Sequence, residues 1–322
     1  MFKLTIAIPA FKRPELLKQT LQEVLAASDG FDVEILICDD SGEELNKEIF
    51  LSHSDNCENI RYISNETCLG IDANIKNCFD SANAEFCWVI GEDDHITRES
   101  VSLLFDRIEN CAAVVVFLNY VYCSNDYKTD LSGPLLKFNG PISRRAILEN
   151  FYKFGFIGSI VVSTAHWRSH SMEAPVGTYF HHLSVIGKII FSKSEIDINF
   201  IDAICVRNRA ENGDSASWTS QALAVHFGYY DAIRFFELCL GEDERSLLHE
   251  ASEALFRPKN ALWLLSKRAD EAFSVSELQR FRHQYSRLQQ KLFWFIAVVP
   301  VPIAKIAKSV YLALKWKVHR VE

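Results

Sequence analysis

At 322 residues, with 48% hydrophobic and 24% charged side chains, the chain can build one large α/β domain plus an appendage and is too apolar to be disordered. Its net charge of −8 excludes a general nucleic-acid binder, which would carry a basic excess. The charge is uneven: from His283 to Glu322 seven cations meet one acid, so this tail is +6 and the remainder is −14.

Nine cysteines, at 38, 57, 68, 78, 87, 111, 123, 205 and 239, contain no C-x-x-C, and several sit in apolar runs. They read as buried thiols in a reducing compartment, not as a disulfide framework or a zinc site. The sequence starts on a strand-like run without the regions of a signal peptide, so a cytoplasmic location is expected. No apolar run reaches the length of a membrane-spanning helix.

In chain order, Leu4 to Pro9 reads as a strand, and Pro14 to Ala27 as a helix with leucines at 16, 17, 21 and 25 on one face. Val33 to Cys38 is a second strand, closed by the turn Asp39-Asp40-Ser41-Gly42. A helix near Glu44 to Ser52, a strand at Ile60 to Ile63, a helix at Ile71 to Ala82 and a strand at Glu85 to Ile90 follow. Such alternation implies parallel pairing with crossovers, and ligands then collect beyond the carboxyl ends of the strands. Further on, Ala112 to Leu118 and Ile157 to Ser163 read as strands, with a polar loop around Ser124 to Gly133 and a helix from Phe180 to Phe191. Beyond Ser217 the reading is helical, over Gln221–Leu240, Arg245–Phe256 and Lys259–Ala272. The fold class is α/β.

Two acidic turns carry the chemistry. Asp39-Asp40 closes an apolar strand, where a carboxylate can accept from a base or ribose; a plain backbone turn is the alternative. A receiver-type signalling module also has paired acids, but after its first strand, and no matching acceptor pattern follows here. Gly91-Glu92-Asp93-Asp94 places three acids in a row after another strand. They repel one another unless a cation sits among them, and hard oxygen ligands in a loop suit Mg²⁺ or Mn²⁺ together with substrate phosphates. The alternative is a solvated turn capping the helix near Arg98. Neither G-x-x-x-x-G-K-[ST], G-x-G-x-x-G nor G-x-S-x-G occurs.

The series Ile8-Pro9-Ala10-Phe11-Lys12-Arg13-Pro14, Ile37-Cys38-Asp39-Asp40-Ser41-Gly42, Asn65 to Asn74 and Gly91-Glu92-Asp93-Asp94 resembles, in order and spacing, the inverting family two of GT-A glycosyltransferases. Within it the chain is most similar to bacterial enzymes of O-antigen and capsule synthesis, including abequosyltransferase-like members. The resemblance implies a Rossmann-like, mostly parallel GT-A sheet over residues 1–216, with a nucleotide-binding half (1–110) and an acceptor half (111–216). A helical region, 217–322, would follow. It implies sugar transfer, with inversion, from a nucleotide-sugar donor to a glycan or lipid-linked oligosaccharide.

On that resemblance, Pro9, Ala10, Phe11 and Arg13 line the nucleotide site, Asp39 and Asp40 face base and ribose, and Gly70 and Asn74 close over the nucleotide. Ala73 stands where family members often carry Arg. Asp94 is the expected ligand of a divalent metal, Asp93 lies beside the donor, and Glu92 reaches sugar or ribose. The expected base position, Gly177 to Leu183, has no carboxylate; His182, with His181 behind it, is the expected base, a His that orders the loop or hydrogen-bonds acceptor hydroxyls is the alternative, and Glu173 is a weaker candidate. Arg207 or Arg209, opening a polar loop that runs to Trp218, would hold the diphosphate; a surface loop with an N-cap Ser is the alternative.

The tail from Lys291 to Lys317 has a short apolar core, broken at Pro300 and Pro302, with Trp294, Trp316 and lysines suited to the inner face of a membrane. A buried hairpin or an oligomer contact is the alternative. The rival functions are a sugar-phosphate nucleotidyltransferase, which lacks its glycine-rich basic loop here, and a non-catalytic sugar- or nucleotide-binding module.

Overall fold

The first strands of the chain are covered on both faces of the sheet, which is why they are apolar at almost every position instead of alternating. They are β1 (Leu4–Ala10), β2 (Val33–Asp39), β3 (Ile60–Ser64) and β4 (Phe86–Val89), all parallel, in the order β3-β2-β1-β4. The computed structural model describes residues 2–54, 58–124, 126–134, 136–137, 139–192, 196–209, 221–253 and 260–318. From β4 the sheet continues through β8 (Ile160–Ser163), β6 (Val115–Cys123), β9 (Ile198–Arg209) and β5 (Asp94–Ile96), with β7 (Gly140–Pro141) also paired to β9. Pairing in this second part is antiparallel except between β6 and β9. The expected GT-A-type layering is therefore present, with its parallel character concentrated in the first half.

Helices α1 (Pro14–Ser28), α2 (Glu44–Ser54), α3 (Ile71–Ser81), α4 (Arg98–Asn110), α5 (Arg144–Asn150), α6 (Thr164–His170) and α7 (His181–Phe191) flank the sheet. Pro14 opens α1, where its missing N–H costs nothing. Thr97 and Ser100 form a capping box that starts α4. Leu4, Ile6, Ile8 and Ala10 share one core with Leu17, Leu21 and Val24 of α1 and Leu104 and Ile108 of α4. The alternate residues of the strands face the other way, where Cys38 meets Cys78 of α3 and where α3, α6 and α7 pack together.

Two compact units emerge: residues 1–212 with 231–251, and residues 213–230 with 252–322. Helix α8 (Ala222–Phe236) belongs to the second through residue 230 and to the first beyond it, and α9 (Glu242–Glu253) lies almost wholly in the first. In the second unit, α10 (Ala261–Ala269), α11 (Val275–Arg280), α12 (Arg287–Val298) and α13 (Val301–Val318) surround a core of Phe227, Leu264, Phe273, Leu278, Tyr285, Phe293 and Ala297.

Three strands escaped the sequence reading, the two-residue β7 among them. β5 occupies the end of the acidic turn, and β9 runs through Arg207 and Arg209, which were expected to open a loop. The rest of that expected loop, residues 210–218, lies outside the described residues.

Candidate active site

The carboxyl ends of three neighbouring strands are tied to one another by backbone. The Asp40 N–H donates to the Ala10 carbonyl (2.9 Å) and the Ile90 N–H to the Ala7 carbonyl (3.0 Å). Asp39 is fully buried at the tip of β2. Its Oδ1 accepts from the Ser41 N–H (2.9 Å), the Ser41 hydroxyl (2.6 Å) and the Asn46 amide (3.0 Å), and its Oδ2 accepts from the Tyr62 hydroxyl (2.7 Å). A carboxylate offers about four lone-pair directions, so a base would have to use the one left on Oδ2.

Asp40 points elsewhere, accepting from the N–H groups of Leu69 (2.7 Å) and Gly70 (2.8 Å) and from the Asn65 amide (2.9 Å). Gly70 has φ 85°, a conformation that glycine adopts without penalty, and it presents its N–H to that carboxylate. Asn74, one turn into α3, donates to the Cys38 carbonyl (3.0 Å) and accepts from Asn65 (3.1 Å). The structure thus brings Asp39, Asp40, Gly70 and Asn74 into one hydrogen-bonded frame around the end of β2. Beside it, Pro9 and Ala10 end β1. Phe11 is 43% exposed, with Lys12 Nζ 5.2 Å from its ring centroid.

The acidic turn after β4 is held from below. Glu92 is buried, and its carboxylate accepts from the Phe11 N–H (3.1 Å) and from Arg13 Nε (3.0 Å). Its own carbonyl accepts from the Thr20 hydroxyl (2.6 Å). Glu92 was expected to reach sugar or ribose; instead it turns inward and fixes the Phe11–Arg13 segment. Asp94 is also buried, accepting from the Gly91 N–H (2.6 Å) and the Asn208 amide (2.8 Å). Asp93 stays partly exposed and takes Arg13 Nη1 on Oδ2 (3.0 Å).

Burial pushes the Glu92 carboxyl up to about 7 against the pull of Arg13 and the Phe11 N–H. Burial, with Asp93 alongside, pushes Asp94 up to about 7 as well. Among the described residues Arg13 pairs with Glu92 and Asp93 and no ion pair reaches Asp94, so the turn is short of positive charge. A Cβ on Gly91 would meet Asp93 Oδ1 at 2.9 Å and Asp94 Oδ2 at 3.1 Å, so these two oxygens converge over one glycine. The donor set fits a hard divalent cation. Asp94, the expected ligand, already receives a donor on each oxygen; Asp93 Oδ1 is the more open atom. Among the described residues no group of three or more His, Cys, Asp or Glu is arranged to hold a metal, so phosphate oxygens would have to complete the shell.

Several neighbours of this turn were not legible in the sequence. Gly158 lies against Asp94: a Cβ there would come within 3.1 Å of Asp94 Oδ2, and its carbonyl is fixed by the Trp88 indole N–H (2.8 Å). Asn208 orients Asp94 from the far end of the chain. Asp72, the second residue of α3, lies inside the Asn65 to Asn74 motif yet serves a distant turn. Its Oδ2 accepts from the N–H groups of Gly177 (2.8 Å), Thr178 (2.7 Å) and Tyr179 (2.9 Å), and Oδ1 accepts from the His181 N–H (3.4 Å). A buried anion thus sits at the N-terminus of α7.

The histidines expected to act as base begin that helix, and both are buried. His181 Nδ1–H donates to the Pro175 carbonyl (3.1 Å) and His182 Nε2–H to the Gly155 carbonyl (3.1 Å). Burial lowers the His181 pKa and brings His182 down to about 4. Both imidazoles are held inward and favour the neutral form, the arrangement of residues that order this turn. Glu173 is ion-paired with Lys188 (3.0 Å).

The arginine expectation changes too. Along β9, Asn208 points at Asp94, so Arg207 and Arg209 project from the opposite side of the strand. Arg207 pairs with Asp130 (3.1 Å), and the Arg209 guanidinium lies over the Tyr127 ring (4.4 Å), which also stacks on His95 (4.5 Å). Neither arginine faces the Asp94 carboxylate.

Comparison with known proteins bears on the family and the fold. Residues 5–162 match the family model for glycosyl transferase family 2. The chain is 23% identical over 224 residues to abequosyltransferase RfbV of Salmonella typhimurium, across 65% of this chain and 67% of that protein. It is 25% identical over 149 residues to the GalNAc(5)-diNAcBac-PP-undecaprenol beta-1,3-glucosyltransferase of Campylobacter jejuni, across 46% of this chain and about half (48%) of that relative. Among solved structures, S. aureus TarS in complex with UDP-GlcNAc has a TM-score of 0.64 at 14% identity, covering 92% of this chain and 90% of that one. Mannosyltransferase PcManGT from Pyrobaculum calidifontis, in complex with GDP-Man and Mn²⁺, has a TM-score of 0.53 at 13% identity, covering 96% and 86%. At such identities the structural likeness shows the fold. With four ordered motifs at the strand tips and a family match running from β1 into β8, residues 5–162, just under half of the chain, form a glycosyl transferase family 2 domain.

Proposed function

We propose that the chain transfers a sugar from a nucleoside-diphosphate donor, with inversion, to a glycan carried on a lipid, in bacterial surface-polysaccharide synthesis. The observation that carries this reading is the charge-deficient turn Glu92-Asp93-Asp94 beside the Asp39–Asn74 frame. The acceptor class is suggested by the two curated relatives, one an abequosyltransferase and the other named for an undecaprenol-linked acceptor.

The nucleotide would lie along the tips of β1 and β2, its base against Phe11 and within reach of Asp39 Oδ2. Asp93, with Asp94 behind it, would hold a divalent cation, which when bound offsets charge developing on the departing diphosphate. Glu92 orients Arg13 and the Phe11 N–H, and Arg13 in turn steadies Asp93. Gly158 packs between Asp94 and the Phe156 ring, where a side chain would not fit, and Asp72 fixes the turn 177–181 that would border the acceptor. Proton removal from the acceptor is assigned to no residue described here. His182 has only its buried Nδ1 left to accept a proton, and the turn would have to open to expose it.

The test uses purified full-length protein and thermal shift with UDP, GDP, CDP and dTDP, each with and without Mn²⁺. One diphosphate should raise the melting temperature, more strongly with Mn²⁺, because a ligand of the folded state stabilises it by mass action. Asp93→Asn should lower the Mn²⁺-dependent affinity at least about tenfold, equivalent to roughly 1.4 kcal/mol, and so shrink that gain. If no diphosphate shifts the melt under any condition, there is no donor site here.

A further inference from the structure

In the second unit, α12 and α13 bury one side and leave the other side apolar as well. Phe293, Ala297 and Ala304 are buried, while Leu288, Leu292 and Phe295 recur at helical spacing on the outside of α12, 78%, 50% and 64% exposed. Ile303, Ile306 and Val310 repeat the pattern on α13, again more than half exposed, and Trp294 is exposed beside the first stripe. A folded unit does not ordinarily leave two ordered stripes of large apolar side chains in water.

We infer that this outer face of α12 and α13 docks on an anionic lipid surface, lying in the interface instead of crossing it. The inference stands on these two helices and does not require the transferase reading. Two features of the helices select the occupant. First, no acidic residue occurs from Arg287 through Val318, whereas Arg287, Lys291, Lys305, Lys308, Lys315 and Lys317 do. Arg287 and Lys291 are exposed next to the α12 stripe. Lys305 and Lys308 lean on Glu271 (3.8 Å) and Asp270 (2.6 Å), which leaves the N-terminal cations of α12 the freer ones. Two copies of one acid-free face would bring like charges together, whereas anionic headgroups offset them.

Second, among the described residues no single helix is long and apolar enough to cross a membrane; α12 and residues 301–310 of α13 reach that length and composition only as a pair, bent by 103° at the break. Pro300 stands in that break, and α12 has 12 residues, about 18 Å of helix against about 30 Å of hydrocarbon. Short helices with outward apolar stripes, a flanking Trp and cations have the composition of segments that lie in the headgroup boundary.

The experiment is co-sedimentation of the full-length chain with vesicles of equimolar phosphatidylcholine and phosphatidylglycerol, and with phosphatidylcholine alone, at low salt. The wild type should pellet with the mixed vesicles. The combined substitution Leu292→Asp, Phe295→Asp and Ile306→Asp should lower its partition at least about tenfold. These side chains are exposed, so the circular-dichroism melt should stay within a few degrees of wild type. Should that variant misfold, Arg287→Glu with Lys291→Glu decides, since it must reduce pelleting with the mixed vesicles and not with phosphatidylcholine. The inference is overturned if the wild type stays in the supernatant, or if the charge-reversed or triple variant pellets with mixed vesicles as the wild type does. It is equally overturned if the wild type dimerises through this face, and the triple variant is monomeric, with no vesicle binding.

Discussion

Asp72 shows how far a residue's work can lie from its position in the sequence. It opens α3, yet it satisfies four backbone N–H groups before and at the start of α7. Each buried N–H left without a partner costs about 1–3 kcal/mol, and loss of the anion from the helix terminus adds about 0.3–1 kcal/mol. Asp72→Ala is therefore expected to destabilise the chain by about 3 kcal/mol or more, read from the urea midpoint at constant slope. Asp72→Asn keeps one acceptor oxygen and should cost clearly less. Equal, sub-kilocalorie losses for both variants would mean that the turn finds other acceptors. The acids at the strand tips were legible because consecutive carboxylates announce themselves by type. Their partners were not, because Asn208 and Gly158 reach Asp94 from remote parts of the chain. Spacing also gave no sign of which way a side chain faces: His182 stands where a base was expected, and α7 turns it inward.

At the level of elements, the first half was readable because burial on both faces makes β1 and β2 continuous apolar runs, and because Pro14 and Thr97 mark helix starts. β9 was missed although Ile198-Asn-Phe-Ile-Asp-Ala-Ile-Cys-Val is rich in β-branched residues, since the glycine and polar residues after Arg209 drew the loop boundary too early. That error moved two arginines from a strand face to an imagined loop. Tight helix packing was equally hidden. At Gly187 of α7 an added Cβ would fall 2.3 Å from a ring carbon of Phe236, which is fully buried and stacked on Phe191 (5.5 Å) and near Phe151 (5.0 Å). The ring has no room to retreat. Overpacking costs about 1–3 kcal/mol, while alanine regains up to about 1 kcal/mol of helix propensity. Gly187→Ala should therefore lower the melting temperature by several degrees, with a net loss of about 1–2 kcal/mol at the midpoint. A rise on that substitution would show that the helices separate freely.

Across the whole molecule, an acidic body and a basic tail were visible in composition, while the division into two units was not. Residues 231–251 belong with the first unit although the chain has by then entered the second, and no local signal marks such a return. The charge balance of the acidic turn is also a property of the folded molecule. Glu92 and Asp94 have folded-state pKa values of about 7, above their ordinary 4.5 and 3.8. Their native forms therefore hold protons that the unfolded chain has already released, and the stabilisation this provides is complete below about pH 4 and lost as pH rises through 7. A cation bound at this turn competes with those protons, so its affinity must grow over the same window. The melting-temperature gain from Mn²⁺ should accordingly be small at about pH 5.5 and large at about pH 8, and chelation should cost most stability at the alkaline end. Asp94→Asn removes one of the titrating groups and should flatten this dependence, whereas Glu173→Gln, on a surface ion pair, should leave it intact. A Mn²⁺ gain that is the same at both pH values would mean that the cation binds somewhere other than among these carboxylates.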